Sequence, residues 1–262
     1  MSKKTNRRAR PDLQPVRKEL DAIIAKGYGG HRVFEDWVGL MFFAFQRDDP
    51  HYLEIMGRYR NEGPMGQREA DHFANALAEL MGYMSSTNEE ALGPLYEEYA
   101  ANHYVGQFFT PAAVCKLMAR MSHTPPPPSR TFSVCDPACG AGACLIASAQ
   151  EQTFEENNRA FFVGQDVDVN CVRMTALNLM SFNLEGIVMW GNFLALEVRG
   201  AWRTCRNVAF GGSLMETDAT RAQEWLRGKL PPSEREPVIA RCAKNDTNKP
   251  LKMEQLTLFP TS

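Results

Sequence analysis

Apolar positions recur with helical spacing through the first hundred residues. Leu20, Ile23 and Ile24 follow a 3.6-residue period, and the stretches Val33–Phe45 and Ala70–Met84 repeat it. Polar breaks fall at Asp48-Asp49-Pro50 and Asn61-Glu62-Gly63-Pro64. Residues 11–103 thus predict a layer of several helices without a useful strand. The run Pro125-Pro126-Pro127-Pro128 then interrupts the chain, because consecutive prolines form an extended spacer. Beyond it the period changes. Thr131–Cys135, Ala160–Gly164 and Ile187–Trp190 predict strands, with helices over Gly142–Gln150 and Asn170–Leu184 between them. That alternation is half of a doubly wound parallel sheet. Further on, Arg206–Phe210 predicts a fourth strand and Asp218–Arg227 a helix.

Composition adds limits. The chain has 262 residues, 44% of them hydrophobic, which is enough for a substantial core. A formal net charge of −2 means that any nucleic-acid contact comes from a local patch. The first ten residues hold Lys3, Lys4, Arg7, Arg8 and Arg10 without an apolar run beside them. Residues 1–10 are therefore expected to be a disordered basic tail, either a solubilising end or a phosphate-contacting arm. No signal peptide or membrane span is expected, since the most apolar stretch, Val38–Phe45, is far below the roughly 18 residues a span needs. A cytoplasmic protein is the expectation. The seven cysteines show no CxxC pair, so free thiols and no metal are expected. Residues 228–262 open on a Pro-, Lys- and Asn-rich stretch and predict a mobile tail.

The candidate chemistry sits between the predicted strands. Asp136-Pro137-Ala138-Cys139-Gly140-Ala141-Gly142 follows one strand and opens a helix. Its small residues permit a sharp turn and close approach of backbone amides to a ligand. Asp136 would repel a pyrophosphate at this point, so a ligand with an ammonium group suits the loop better. Asp166 ends the second strand, where a carboxylate can accept hydrogen bonds from two ribose hydroxyls. Asn192 follows the third, placed to meet an adenine edge. Together they point to an adenosine-type ligand with a cationic amino-acid moiety.

These residues resemble the amino-group DNA methyltransferases, most closely the modification subunits of type I restriction systems. Gly106-Gln107-Phe108-Phe109-Thr110-Pro111, Asp136 to Gly142, Val163 to Asp168 and Gly191-Asn192-Phe193-Leu194 carry the likeness. It covers Tyr104 to Leu196 well and the last 65 residues hardly at all. The resemblance implies an α/β fold, with an N-terminal helical domain (residues 11–103) ahead of a truncated Rossmann-like, class I methyltransferase sheet (residues 104–227). It implies S-adenosylmethionine as cofactor and DNA as partner. Thr110, next to Phe109, would bind the methionine carboxylate. Asp136, Pro137, Ala138, Gly140 and Gly142 would hold the methionine end, Asp166 the ribose and Asn192 the adenine. Thr110-Pro111 is also a candidate helix cap with proline in the first turn.

The chain departs from the family at the target base. Adenine N6 is a poor nucleophile, and the base must be flipped into a pocket. The family meets both needs with an Asn, Asp or Ser, then Pro-Pro, then an aromatic residue. No proline occurs between Asn192 and Lys229. Asn207 and Phe210 offer one acceptor and one ring at the same spacing without the prolines. Either a partner chain supplies the missing half, or the chain binds the cofactor as a non-catalytic accessory protein. The segment Gln255-Leu256-Thr257-Leu258-Phe259 resembles the peptides that dock on the bacterial sliding clamp, with Gln255 at the rim and Leu256, Leu258 and Phe259 as anchors. A nucleoid-associated bacterial protein is the corresponding expectation.

Overall fold

The computed structural model describes residues 12–100, 109–126, 131–206 and 212–227. Six helices come first: α1 (Gln14–Ile24), α2 (Gly30–Gln46), α3 (Asp49–Met56), α4 (Glu69–Thr87), α5 (Leu92–Ala100) and α6 (Ala112–Ser122). Helix α2 is the hub of this layer. It buries Val33, Phe34, Trp37, Val38, Leu40, Met41 and Phe42, too wide an apolar arc for a surface helix. Trp37 is fully buried, and its indole Nε1 donates to the Phe73 carbonyl at 3.2 Å. Asp48-Asp49-Pro50, a break in the hydrophobic pattern, is the start of α3. The Asp48 side chain accepts from the His51 amide, and Pro50 occupies the first turn, where no amide partner is lost.

Five strands follow: β1 (Phe132–Asp136), β2 (Ala160–Asp166), β3 (Gly186–Trp190), β4 (Gly200–Cys205) and β5 (Ser213–Thr217), laid side by side in chain order. Between them run α7 (Ala143–Glu151), the single turn α8 (Phe154–Asn157) and α9 (Val169–Ser181); α10 (Ala219–Leu226) comes last. β1, β2 and β3 are parallel, as a β-α-β-α-β order requires. β4 and β5 are antiparallel to their neighbours. The first three strands are parallel as expected, and the antiparallel pair beyond them makes the sheet as a whole mixed. The connection from Trp190 to Gly200 is too short for a parallel crossover, which takes roughly a dozen residues. The fourth strand is also not at Arg206–Phe210: β4 ends at Cys205, Arg206 lies just past it, and residues 207–210 lie outside the described residues.

Alternation along the strands divides the sheet into two faces. Phe132, Val134, Ala160, Phe162 and Val188 share one hydrophobic cluster with α7, α9 and the N-terminal helices. Phe161, Val163, Ile187 and Met189 face the other way, onto Ala222, Trp225 and Leu226 of α10. By the same alternation Asp136 and Asp166 belong to the helix-covered face. Cys115, Cys135, Cys139, Cys144 and Cys171 are free thiols, whereas Cys205 is disulfide-bonded, against the free-thiol expectation at that position. Among the described residues no group of His, Cys, Asp and Glu could hold a metal, and no helix is long and apolar enough to cross a membrane.

Candidate functional site

Register sets the stage. Asp136 pairs with Gly164, and Asp166 pairs with Trp190. The polar ends of β1, β2 and β3 thus step outward along one edge of the sheet, each opening a turn. In open α/β sheets that edge is where ligands bind.

The β1–α7 loop is shaped by its glycines. Gly140 and Gly142 take φ of +54° and +84°, the left-handed region that side chains disfavour. Gly142 is the N-cap of α7. The Phe109 ring leaves no room at Gly140, where a Cβ would meet it at 3.0 Å. Helix α9 holds the loop from behind. Thr175 Oγ1 donates to the Gly140 carbonyl at 2.8 Å, and Asn178 Nδ2 donates to the Ala141 carbonyl at 2.7 Å. The Cys139 amide donates to the Gln165 carbonyl at 3.0 Å. Asp136 Oδ1 accepts from the Ala138 amide at 3.1 Å, and Asp166 Oδ2 accepts from the Gly140 amide at 2.9 Å. Burial first, then the nearby Asp166 charge, pushes the Asp136 carboxyl up.

In front of the loop lies a cavity of about 360 Å³ walled by α5, α6 and the loop itself. Phe109, Thr110, Asp136, Ala138 and Gly140 line it, together with Glu89, Glu90, Glu97 and Lys116. Four carboxylates therefore face one lysine, whose Nζ is already 3.7 Å from Glu89. Glu97 accepts from the Phe109 amide at 3.0 Å and so fixes the start of the α6 approach. Glu90 is buried and accepts from the Gly93 amide at 2.6 Å and from Asn178 Nδ2 at 3.0 Å. Burial pushes its carboxyl up to about 7, because desolvation penalises the charged form.

The structure thus gathers five of the nine expected cofactor positions around one cavity and ties in a sixth, Asp166, through Gly140. Gly142 shapes the turn, and Pro137 is exposed outside the lining. Asn192 lies beyond β3, outside that lining, and its side-chain oxygen accepts from the Leu194 amide at 3.0 Å and the Ala195 amide at 3.3 Å. Thr110 does not cap α6: Pro111 is the N-cap, with no side-chain capping bond, and the Thr110 carbonyl accepts from Cys115 Sγ at 3.4 Å. The residues that sequence reasoning missed are Glu89, Glu90, Glu97, Lys116, Thr175 and Asn178. One signal was available: Thr175 and Asn178 are polar, fully buried and three positions apart on an otherwise apolar helix. Gly106, Gln107 and Phe108, the pair Asn207 and Phe210, and the peptide Gln255, Leu256, Leu258 and Phe259 lie outside the described residues.

No curated protein matches the chain. The family model described as N-6 DNA Methylase matches residues 87–204. That span starts just before Glu89, takes in the cavity lining apart from Leu13 and Tyr83, the glycine loop, Asp136, Asp166 and Asn192, and stops inside β4. Over residues 87–204, a little under half of its length, the chain is similar to the N-6 DNA methylase family.

Proposed function

We propose that the chain binds S-adenosylmethionine in the acidic cavity and works as the cofactor-binding part of a DNA adenine-N6 methyltransferase. The observation that carries this is the charge of the cavity. Glu89, Glu97 and Asp136 outweigh Lys116 even with Glu90, buried, holding its proton far above the usual carboxylate range; this disfavours an anionic ligand and suits one bearing an ammonium and a sulfonium. Asp136 and the Gly140 turn would hold the methionine end, with Thr110 at its carboxylate and Phe109 as the apolar wall. Asp166 would take the ribose hydroxyls on the lone pairs left by the Gly140 and Asp168 amides. Asn192 would meet the adenine through its amide nitrogen, since its oxygen is engaged in the turn. The cofactor, when bound, supplies an electrophilic methyl group. The described residues of this chain position it; transfer itself is in-line attack by an oriented base.

A partner chain completes the target-base half. Asn207 and Phe210 are the candidates within this chain. A second reading, a non-catalytic cofactor-binding accessory protein, is favoured by one observation: the chain carries no Pro-Pro between an acceptor and an aromatic residue. Labelled S-adenosylmethionine incubated with unmethylated genomic DNA decides between them. Label in DNA that disappears in Asp136→Ala supports the enzyme. Cofactor binding by calorimetry without label, with or without candidate partner chains, supports the accessory role. For the C-terminal peptide the proposed occupant is the bacterial sliding clamp. Pull-down should fail when Leu258 and Phe259 become Ala, and an unchanged signal removes the idea.

A further inference from the structure

A second cavity, of about 370 Å³, lies between the α2–α3 pair and the first turn of α9. Arg173 is its unusual member. The guanidinium packs over Phe43, 5.0 Å from the ring centroid, and over Phe42 at 5.8 Å. Gly39 leaves the space: a Cβ there would meet Ile55 at 2.8 Å and Arg173 Nη1 at 3.8 Å. Arg173 Nε is buried and has no hydrogen-bond partner, and Nη1 donates to Asn170 Oδ1 at 3.4 Å, a weak contact. Among the described residues Arg173 makes no ion pair. Burial holds its pKa below the usual guanidinium value, outweighing the charges of Glu35, Asp168 and Asp36, which act on it without direct contact; a desolvated cation of that kind gains from an anion in direct contact.

The neighbouring carboxylates are engaged elsewhere. Asp36 accepts from Arg32 Nε at 3.0 Å, Arg58 Nη1 at 2.5 Å and the Tyr59 hydroxyl at 3.0 Å. Glu35 accepts from Asn170 Nδ2 at 2.6 Å and lies 3.3 Å from His31. Glu54 accepts from Arg58 Nη2 at 3.3 Å. Three carboxylates line the cavity with Arg32, Arg58, Arg173 and His51; the groups left over are Arg173 inside, the outer nitrogens of Arg32, more than half exposed at the mouth, and one oxygen of the exposed Glu54. The His51 ring stacks on Phe43 at 4.9 Å, adding a flat wall beside them.

We propose that this cavity is a phosphate site, with Arg173 as the buried contact and Arg32 at the mouth. Guanidinium forks match the several acceptor oxygens of a phosphate, and the flat Phe43–His51 wall suits the sugar or base attached to it. Asn170 lies four positions after Asp166, so the site borders the cofactor edge of the sheet. A backbone phosphate of bound DNA is the occupant, a placement that rests on the DNA methyltransferase function proposed above. A free phosphate ester shares the chemistry, and the test separates the two.

The full chain is melted in inorganic phosphate and in chloride at matched ionic strength, and titrated with labelled duplex DNA at several salt concentrations. Phosphate should raise the melting temperature of the wild type and leave Arg173→Met unmoved. The slope of log affinity on log salt should fall by about one in Arg173→Met and in Arg32→Gln. Calorimetric S-adenosylmethionine binding should stay unchanged in both. A lost phosphate shift with an unchanged DNA slope, or with no duplex binding at all, makes the occupant a free phosphate ester and overturns the DNA assignment. A phosphate shift that persists in Arg173→Met, with an unchanged slope, overturns the site. Should Arg173→Met fail to fold, Arg32→Gln and Arg173→Gln, each removing one charge, carry the same slope and melting tests. A loss of cofactor binding by the wild type alone would sink the methyltransferase function and leave the phosphate test standing.

Discussion

The parallel and antiparallel parts of the sheet put strands of similar length to different ends. β1, β2 and β3 all run towards one edge, and each delivers a polar residue there: Asp136, Asp166 and Asn192. Each turn at that edge can also offer free amides, and Gly140 does so to Asp166. β4 and β5 alternate in direction, so their turns fall at opposite edges and nothing converges. Burial follows the same division. β2 is buried along nearly its whole length, whereas β5 buries little beyond Leu214. Parallel strands gather chemistry because their connections leave the same edge open; the antiparallel pair extends the sheet and supports the face covered by α10.

Core substitutions should widen this contrast most. Phe162→Ala, in the fully buried centre of β2, should cost about 3–5 kcal/mol in denaturant unfolding. An equal loss from Met215→Ala, about half exposed on β5, would erase the contrast. Glu90→Gln tests the support behind the loop. A raised carboxyl pKa means that the folded state holds its proton longer than the unfolded state. Stability from this group is therefore full below about pH 4.5 and is lost as pH rises to about 7. The loss is on the order of 3 kcal/mol. Melting temperatures taken between pH 5 and 8 should flatten in Glu90→Gln; an undiminished slope would place the proton elsewhere. Asp136→Asn should weaken cofactor binding about 10- to 100-fold by calorimetry while leaving the melting temperature near the wild-type value. Met215→Ala itself should stay within about 0.5 kcal/mol of wild type.

Legibility followed the same line. The three parallel strands were readable to within two residues, because apolar runs end there in polar turn residues. The glycine loop and its two carboxylates were equally plain. β4 was not, since Arg203 and Thr204 look like loop residues. In the fold Arg203 pairs with Glu185 at 2.9 Å and Thr204 donates to the Leu184 carbonyl at 2.9 Å. Polar strand positions satisfied by distant partners leave no local mark. Glu90 hid for the same reason, its side-chain partner Asn178 lying 88 positions away. The acidic character of the cavity is a property of tertiary packing, assembled from the turn before α5, from α5 itself and from the end of β1.

Titration calorimetry of S-adenosylmethionine into the wild type and Asp136→Asn tests the central claim most directly. One site per chain, weakened at least tenfold by the substitution in a folded protein, is the expected result. No heat from the folded wild type, or equal affinity in the two proteins, would contradict a cofactor site at the acidic edge of the parallel strands.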